Sequence, residues 1–239
     1  MGEKRNSNPL AEQMRKLLFR VTHNRNKDGK WNIEPLKDAL ALGESNETTP
    51  ESAEDFEFIL IYATACQMAC SHLKNLGPAH DELRTGYGTK GLQLYDKLLA
   101  HPHNRSEDDP KLPVKIKTKK ASLLLAMQKF GEAEAICFDL LALDPNDGHA
   151  LTILLKTYIY GKQGAKLRST ADQYHGSLAT ADKRLCLVLL DTYKILGQRD
   201  RRQEALNRLR VIHAEKKSAK RGDPTAGAAK ATGRPRDQR

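Results

Sequence analysis

The sequence predicts an all-α protein, an α-solenoid of about four antiparallel helix pairs, and three observations point there. Apolar residues recur at three- and four-residue spacing, as in Leu151, Leu154, Leu155 and Tyr158 or Leu185, Val188, Leu189 and Tyr193, the period of a helix with one buried face. Gly131, Gly164 and Gly197 recur at intervals of 33 residues, each between two such segments, which is about the length of one helix-turn-helix unit. Prolines at Pro102 and Pro145 stand where second helices should stop, because proline cannot extend the hydrogen-bonded ladder.

Residues 1–50 are expected to form an N-terminal helical extension and linker. Leu10–Val21 predicts an amphipathic helix with Met14, Leu17, Leu18 and Val21 inward and Arg15, Lys16 and Arg20 outward. Ile33–Leu42 predicts a second helix entered through Asn32 and ended at Gly43, with Gly43–Ser52 a polar linker. The repeat domain is expected over 51–215. Its first pair takes Ala53–Leu76, rich in Phe56, Ile59, Leu60, Ala63, Cys66 and Met68, with Gly91–Asn104, and Arg105–Pro113 is an inserted loop.

The clearest unit is Val114–Asp147. Ile116, Ala121, Leu124 and Leu125 share one face of its first helix, Phe130-Gly131 marks the turn, and Ala133, Ile136, Cys137, Leu140 and Leu141 line its second. Two further units follow. One has Leu151 to Tyr158, the turn Gly161–Gly164, and Leu167, Ala171, Tyr174 and Leu178; the other has Leu185 to Tyr193, the turn Leu196-Gly197, and Ala205, Leu206, Leu209 and Ile212. No pair can bury its stripe alone, so neighbouring pairs must supply the core. The last segment, Lys216–Arg239, carries eight basic residues against two acids among Gly, Ala and Pro, and predicts a disordered basic tail.

The small residues Ala121 and Ala133, Phe130 at the turn and Leu143-Asp144-Pro145-Asn146 at the exit resemble a tetratricopeptide repeat, with Lys117 standing where the family usually has an early aromatic. The resemblance implies a protein that works by holding other macromolecules.

Composition sets the remaining limits. The chain of 239 residues is 39% hydrophobic and 29% charged, a profile that can bury a core. Its most apolar stretch, Phe58–Leu73, is broken by Gln67 and falls short of the ~18 apolar residues of a membrane span. The polar opening MGEKRNSNPL has no apolar block of a secretory signal, and Ser7 stands one place too late for myristoylation of Gly2. These features predict a cytoplasmic protein that does not enter a membrane.

Candidate chemistry is sparse. Cys66 and Cys70 lie one helical turn apart, yet no His or Cys pair at zinc-like spacing answers them, and buried packing is the better reading for these and for Cys137 and Cys186. Asn24–Gly29 copies part of a calcium loop, but its twelfth position is Pro35, and Arg25, Lys27 and Lys30 repel a cation; a plain polar turn is expected. Gly86-Tyr87-Gly88-Thr89-Lys90-Gly91 lacks P-loop spacing and a preceding strand, so it reads as a flexible turn before a helix. The eight histidines include no His-Glu-x-x-His pair, and no nucleophile stands with a base. The sequence therefore predicts no enzyme, no cofactor and no metal site.

Charge supplies the last signal. Of a net +10, the final 24 residues hold +6, and further cations cluster at Lys111, Lys115, Lys117, Lys119 and Lys120 and at Arg199, Arg201, Arg202, Arg208 and Arg210. Such patches favour RNA or a ribosome surface through counterion release, with Lys216, Lys217, Lys220, Arg221, Arg234 and Arg236 as candidate polyanion contacts. Aromatics at 5% are too few for base-stacking readout.

The span from Lys120 to Ile212 also resembles the N-terminal repeats of the large auxiliary subunit of B-type N-terminal acetyltransferases. The matching positions are Lys120-Ala121, Leu124, Lys129, Glu132-Ala133, Ala142-Leu143, Pro145, Asp147, Leu151, Leu154 and Tyr158, then Tyr193 and Gly197, with Leu98-Leu99 before them. This resemblance implies a scaffold that wraps a small catalytic acetyltransferase subunit and docks it near the ribosome. The competing readings are a peptide-gripping tetratricopeptide-repeat co-chaperone and a basic RNA-associated assembly factor. Expected partner contacts are the aromatics and basics of the first helices: Lys117, Lys120, Tyr158, Tyr193 and Lys194.

Overall fold

The computed structural model describes residues 8–23, 32–105 and 109–221. Among them are eleven α-helices, three short 3-10 turns and no strand. The chain divides into two compact units, Met1–Gly161 and Lys162–Arg239.

In the first unit α1 (Pro9–His23) and α2 (Glu34–Asn46) pack on each other and on α4 (Phe56–Lys74), with the one-turn α3 (Pro50–Ala53) leading into α4. Next come α5 (Asp81–Ala100), α6 (Leu112–Ala126), α7 (Phe130–Leu143) and α8 (Gly148–Tyr160), each packed on the helix before it. The two N-terminal helices contribute to the core of this unit. Ala11, Met14, Leu36 and Ala39 share one core with Phe58, Tyr62, Tyr95, Ile116 and Leu123, because α1 and α2 cannot bury their apolar stripes against each other alone.

The polar linker expected from Gly43 is mostly helix. Gly43 lies inside α2 and is buried, and a Cβ placed there would run into the ring of Tyr62. Glycine here lets α4 approach α2 and does not end the helix. Likewise, the expected flexible turn at Gly86–Gly91 is the middle of α5. Gly88 and Gly91 are buried, and a Cβ at Gly91 would stand 2.7 Å from Leu123 Cδ2 and 3.2 Å from Cys66 Cβ. Close approach of α5 to α4 and α6 offsets the ~1 kcal/mol that glycine costs in a helix interior.

In the second unit α10 (Lys183–Ile195) packs on α9 (Gly164–Gln173) and on α11 (Arg199–Arg221), with a 3-10 turn at His175–Thr180 against α9 and α11. Leu167, Ala171, Leu185, Leu189, Tyr193, Ala205 and Ile212 are among its buried residues. Because α11 continues to Arg221, Lys216, Lys217, Lys220 and Arg221 lie on helical backbone and not in a tail that begins at 216. The rest of that expected tail, with Arg234 and Arg236, lies outside the described residues, as do the N-terminal signal and myristoylation positions, the calcium-loop segment and part of the 105–113 loop.

Two local devices repeat. The first helices α4, α8 and α10 each start on an aspartate whose carboxylate accepts from the backbone: Asp55 from Phe58 N at 2.5 Å, Asp147 from His149 N at 2.8 Å, and Asp182 from Leu185 N at 2.8 Å. Each such cap contributes about 1 kcal/mol. The other device closes α6, α8 and α10, each followed by one residue with positive φ: Gln128 at 63°, Lys162 at 55° and Gly197 at 69°. Behind Gln128 and Gly197 the backbone makes the paired bonds of a left-handed helix stop, Lys129 N to Leu124 O at 2.9 Å and Gln198 N to Tyr193 O at 2.9 Å.

These closures recur 34 and 35 residues apart, so the structural period differs from the glycine period. Gly131 is the second residue of α7 and Gly164 the first of α9, and only Gly197 is itself a left-handed stop. Ala121 and Ala133, expected where paired helices approach, are fully buried on the adjacent α6 and α7.

Candidate functional site

The first unit holds an open cleft of about 420 Å³ bounded by four helices. From α4 it takes Thr64, Gln67, Met68, Ser71 and His72, spaced as one helical face, with Asn75 just past the helix end. Val21 and Thr22 come from α1, Ile33 and Leu36 from the start of α2, and Lys119 from α6. No acidic side chain lines it among the described residues.

Lys119 is on the wrong face for a surface lysine. It follows Ile116 by three residues and precedes Leu123 by four, and both neighbours are fully buried, so its stem runs along the apolar stripe of α6. Its Nζ donates to Thr64 Oγ1 at 3.5 Å, a long contact. Desolvation holds its pKa below the usual lysine range, since burial disfavours the charged form. Nearby, Tyr95 Oη donates to Gln67 Oε1 at 2.7 Å, which fixes that amide and leaves its Nε2 as a donor.

The expected contact residues are dispersed. Lys117 is half-buried on α6, and Lys120 is tied to Asp96 of α5 at 2.5 Å. Tyr158 and Tyr193 are core residues, 2% and 0% exposed, which corrects their assignment to a partner surface. Tyr158 Oη donates to Glu134 Oε1 at 2.7 Å, and Tyr193 Oη bonds His175 Nδ1 at 3.1 Å. A tyrosine whose hydroxyl is paired inside the fold anchors helices. Lys194 is exposed on α10.

Glu204 stands 3.2 Å from His175 Nε2, so glutamate, histidine and tyrosine form a chain in the second unit that sequence spacing did not reveal. Tyr193 is fully buried, and the chain ties the 3-10 turn to α10 and α11.

The four cysteines are buried, and burial pushes the thiols of Cys66 and Cys137 up to about 12 and that of Cys70 up to about 11. Thiols held so far above neutrality are poor nucleophiles and poor ligands. Among the described residues no three His, Cys, Asp or Glu side chains converge as a metal site, and no helix is long and apolar enough to cross a membrane.

No family model matches the chain, and no curated protein or solved structure matches it either. Besides the cleft, the first unit exposes Phe138 and Leu143 on α7 and Tyr160 at the end of α8, 49%, 68% and 51% exposed. Lys74 Nζ lies 4.2 Å from the centroid of the Tyr160 ring, a cation–π pair across α4 and α8. The second unit exposes Arg199, Arg202, Arg210 and Lys217 along α11, while Arg201 is drawn to Asp172 of α9.

Proposed function

We propose that the chain is a non-catalytic helical-repeat scaffold that holds a protein partner, and that its most specific role is as an auxiliary subunit of a ribosome-associated N-terminal acetyltransferase. The observation that carries the reading is the regular closure of α6, α8 and α10 by left-handed residues 34 and 35 apart, the spacing of a helix-pair repeat whose function lies in the surfaces it displays. The burial of the cysteines and of Tyr193 adds support, because the side chains best suited to covalent chemistry are committed to packing. The specific role follows from the resemblance over Lys120–Ile212, in which the active site belongs to the partner.

A cytoplasmic location accompanies this role. The test is affinity capture of the full chain at moderate salt, followed by mass spectrometry. Recovery of one small acetyltransferase subunit in stoichiometric, salt-tolerant amount is expected; recovery of a chaperone instead would support the co-chaperone reading, and capture of no protein at all would refute the scaffold.

The exposed cations of α11 favour a second reading, RNA or ribosome association, with Lys216, Lys217, Lys220 and Arg221 extending the same helix. Binding of that kind weakens steeply between 50 and 200 mM salt, by roughly 10³-fold for about six phosphate contacts. Complexes that vanish over this range or on RNase treatment would select it over the scaffold.

A further inference from the structure

The cleft bounded by α1, α2, α4 and α6 has a chemistry of its own, separate from any partner the scaffold carries. We propose that it is a binding site for a small aliphatic carboxylic acid, whose carboxylate pairs with Lys119 and whose hydrocarbon body lies against Val21, Leu36 and Met68.

Three features select this ligand class. The volume, about 420 Å³, is in the range of small-molecule sites, roughly 300–1,000 Å³. One wall is aliphatic, which a phosphate, a sulfate or a sugar would leave unfilled. Among the described residues the polar side offers one ammonium and no carboxylate, so their charge is matched by one negative charge, neither zero nor two.

Among the described residues the ammonium is also short of acceptors. Its contact with Thr64 Oγ1 is 3.5 Å long, at the limit of a hydrogen bond and far from the usual N–H···O distance. A half-buried cation in this state is unfavourable until an anion arrives. A carboxylate oxygen on Nζ supplies a charge-assisted hydrogen bond, and the Gln67 amide, held by Tyr95 at 2.7 Å, stands in the same cleft to donate to the second oxygen. An alcohol of equal length would fill the wall and leave the ammonium unpaired, while an amine would add repulsion.

The experiment is calorimetric titration of the full chain with octanoate, alongside octanol, octylamine and acetate. Saturable one-site binding of octanoate is expected, with the three comparators at least about tenfold weaker. Lys119→Gln should weaken octanoate by at least about tenfold, the loss of one charge-assisted hydrogen bond, while Lys119→Arg retains most of the affinity. Circular dichroism and a melting curve on each variant establish that the fold persists. Octanol binding as tightly as octanoate, acetate binding as tightly as octanoate, unchanged affinity in Lys119→Gln, or an absence of saturable binding would each overturn the proposal.

Discussion

Replacing the glycines of α5 one at a time by alanine separates helix propensity from interhelical clearance within a single element. Alanine gains roughly 0.8–1.0 kcal/mol over glycine in a helix interior, and all three positions lie within α5. At Gly86 a Cβ would meet nothing within 4 Å, so Gly86→Ala should stabilise the first unit by nearly that whole amount. At Gly91 the new methyl would stand 2.7 Å from Leu123 Cδ2, 3.2 Å from Cys66 Cβ and 3.8 Å from Ala63 O. Leu123 and Cys66 are fully buried and have no room to retreat, so overpacking costs about 1–3 kcal/mol. The net for Gly91→Ala is about 0–2 kcal/mol of destabilisation, and it should fall roughly 1–3 kcal/mol below Gly86→Ala. Gly88→Ala belongs between them, because its methyl would meet the Sδ, Cγ and Cε of Met127 at 2.6–2.8 Å, and that unbranched, partly exposed side chain can swing aside. Urea denaturation followed by far-ultraviolet circular dichroism gives the midpoints and slopes. If Gly91→Ala stabilised the protein as much as Gly86→Ala, the close approach of α5 to α4 and α6 would be wrong.

Other perturbations read other parts of the argument. Gln128→Gly and Lys162→Gly should each stabilise by about 0.5–1 kcal/mol in chemical denaturation, since a left-handed side chain costs roughly 1–2 kcal/mol and glycine's extra freedom when unfolded returns part of that; Gly197→Ala should destabilise by about 1 kcal/mol. Lys119→Met removes a desolvated charge and should raise stability by about 1–2 kcal/mol at pH 7. The folded pKa of Lys119 is lowered, so the unfolded chain binds more protons as pH rises from the folded value toward the unfolded one near ~10.4; wild type should gain on the variant across that alkaline window, and a constant gap would contradict the desolvation. With Cys66, Cys70 and Cys137 raised to about 12, 11 and 12, thiol reagents at pH 8 should label the native chain far more slowly than the chain in guanidinium. Prompt native labelling would place the cysteines nearer the surface.

The helices were readable because their apolar residues repeat with helical period and because Pro145 marks an exit, whereas the capping role of Asp55, Asp147 and Asp182 emerged only from the structure. Glycine misled in both directions. At Gly43, Gly88 and Gly91 it marks close packing inside helices, which local sequence cannot distinguish from a turn because the reason for it lies on another helix. At the helix stops, Gln128 and Lys162 take the backbone hand usually left to glycine, so the glycine period and the structural period coincide only at Gly197. Tyr158 and Tyr193 were legible as inward residues, but not as core residues satisfied by Glu134 and His175, because those partners are set by helix pairing. Lys119 carried a signal that spacing alone supplies: a lysine on the buried stripe of α6, three residues after Ile116 and four before Leu123. The depth of the cleft did not, since α1 and α2 had no predicted place against α4.

Helix α4 is committed to the core on most of its circumference, through Phe58, Ile59, Tyr62, Ala63, Cys66, Ala69 and Cys70. The strip from Thr64 to His72 is what remains to face the cleft. Selection can rewrite its outer members, Ser71 and His72, without disturbing the foundations of the first unit, whereas Gln67 is bound to the buried Tyr95 and changes elsewhere on α4 would topple it. Orthologues should therefore diverge in what the cleft accepts long before they diverge in how the unit is built.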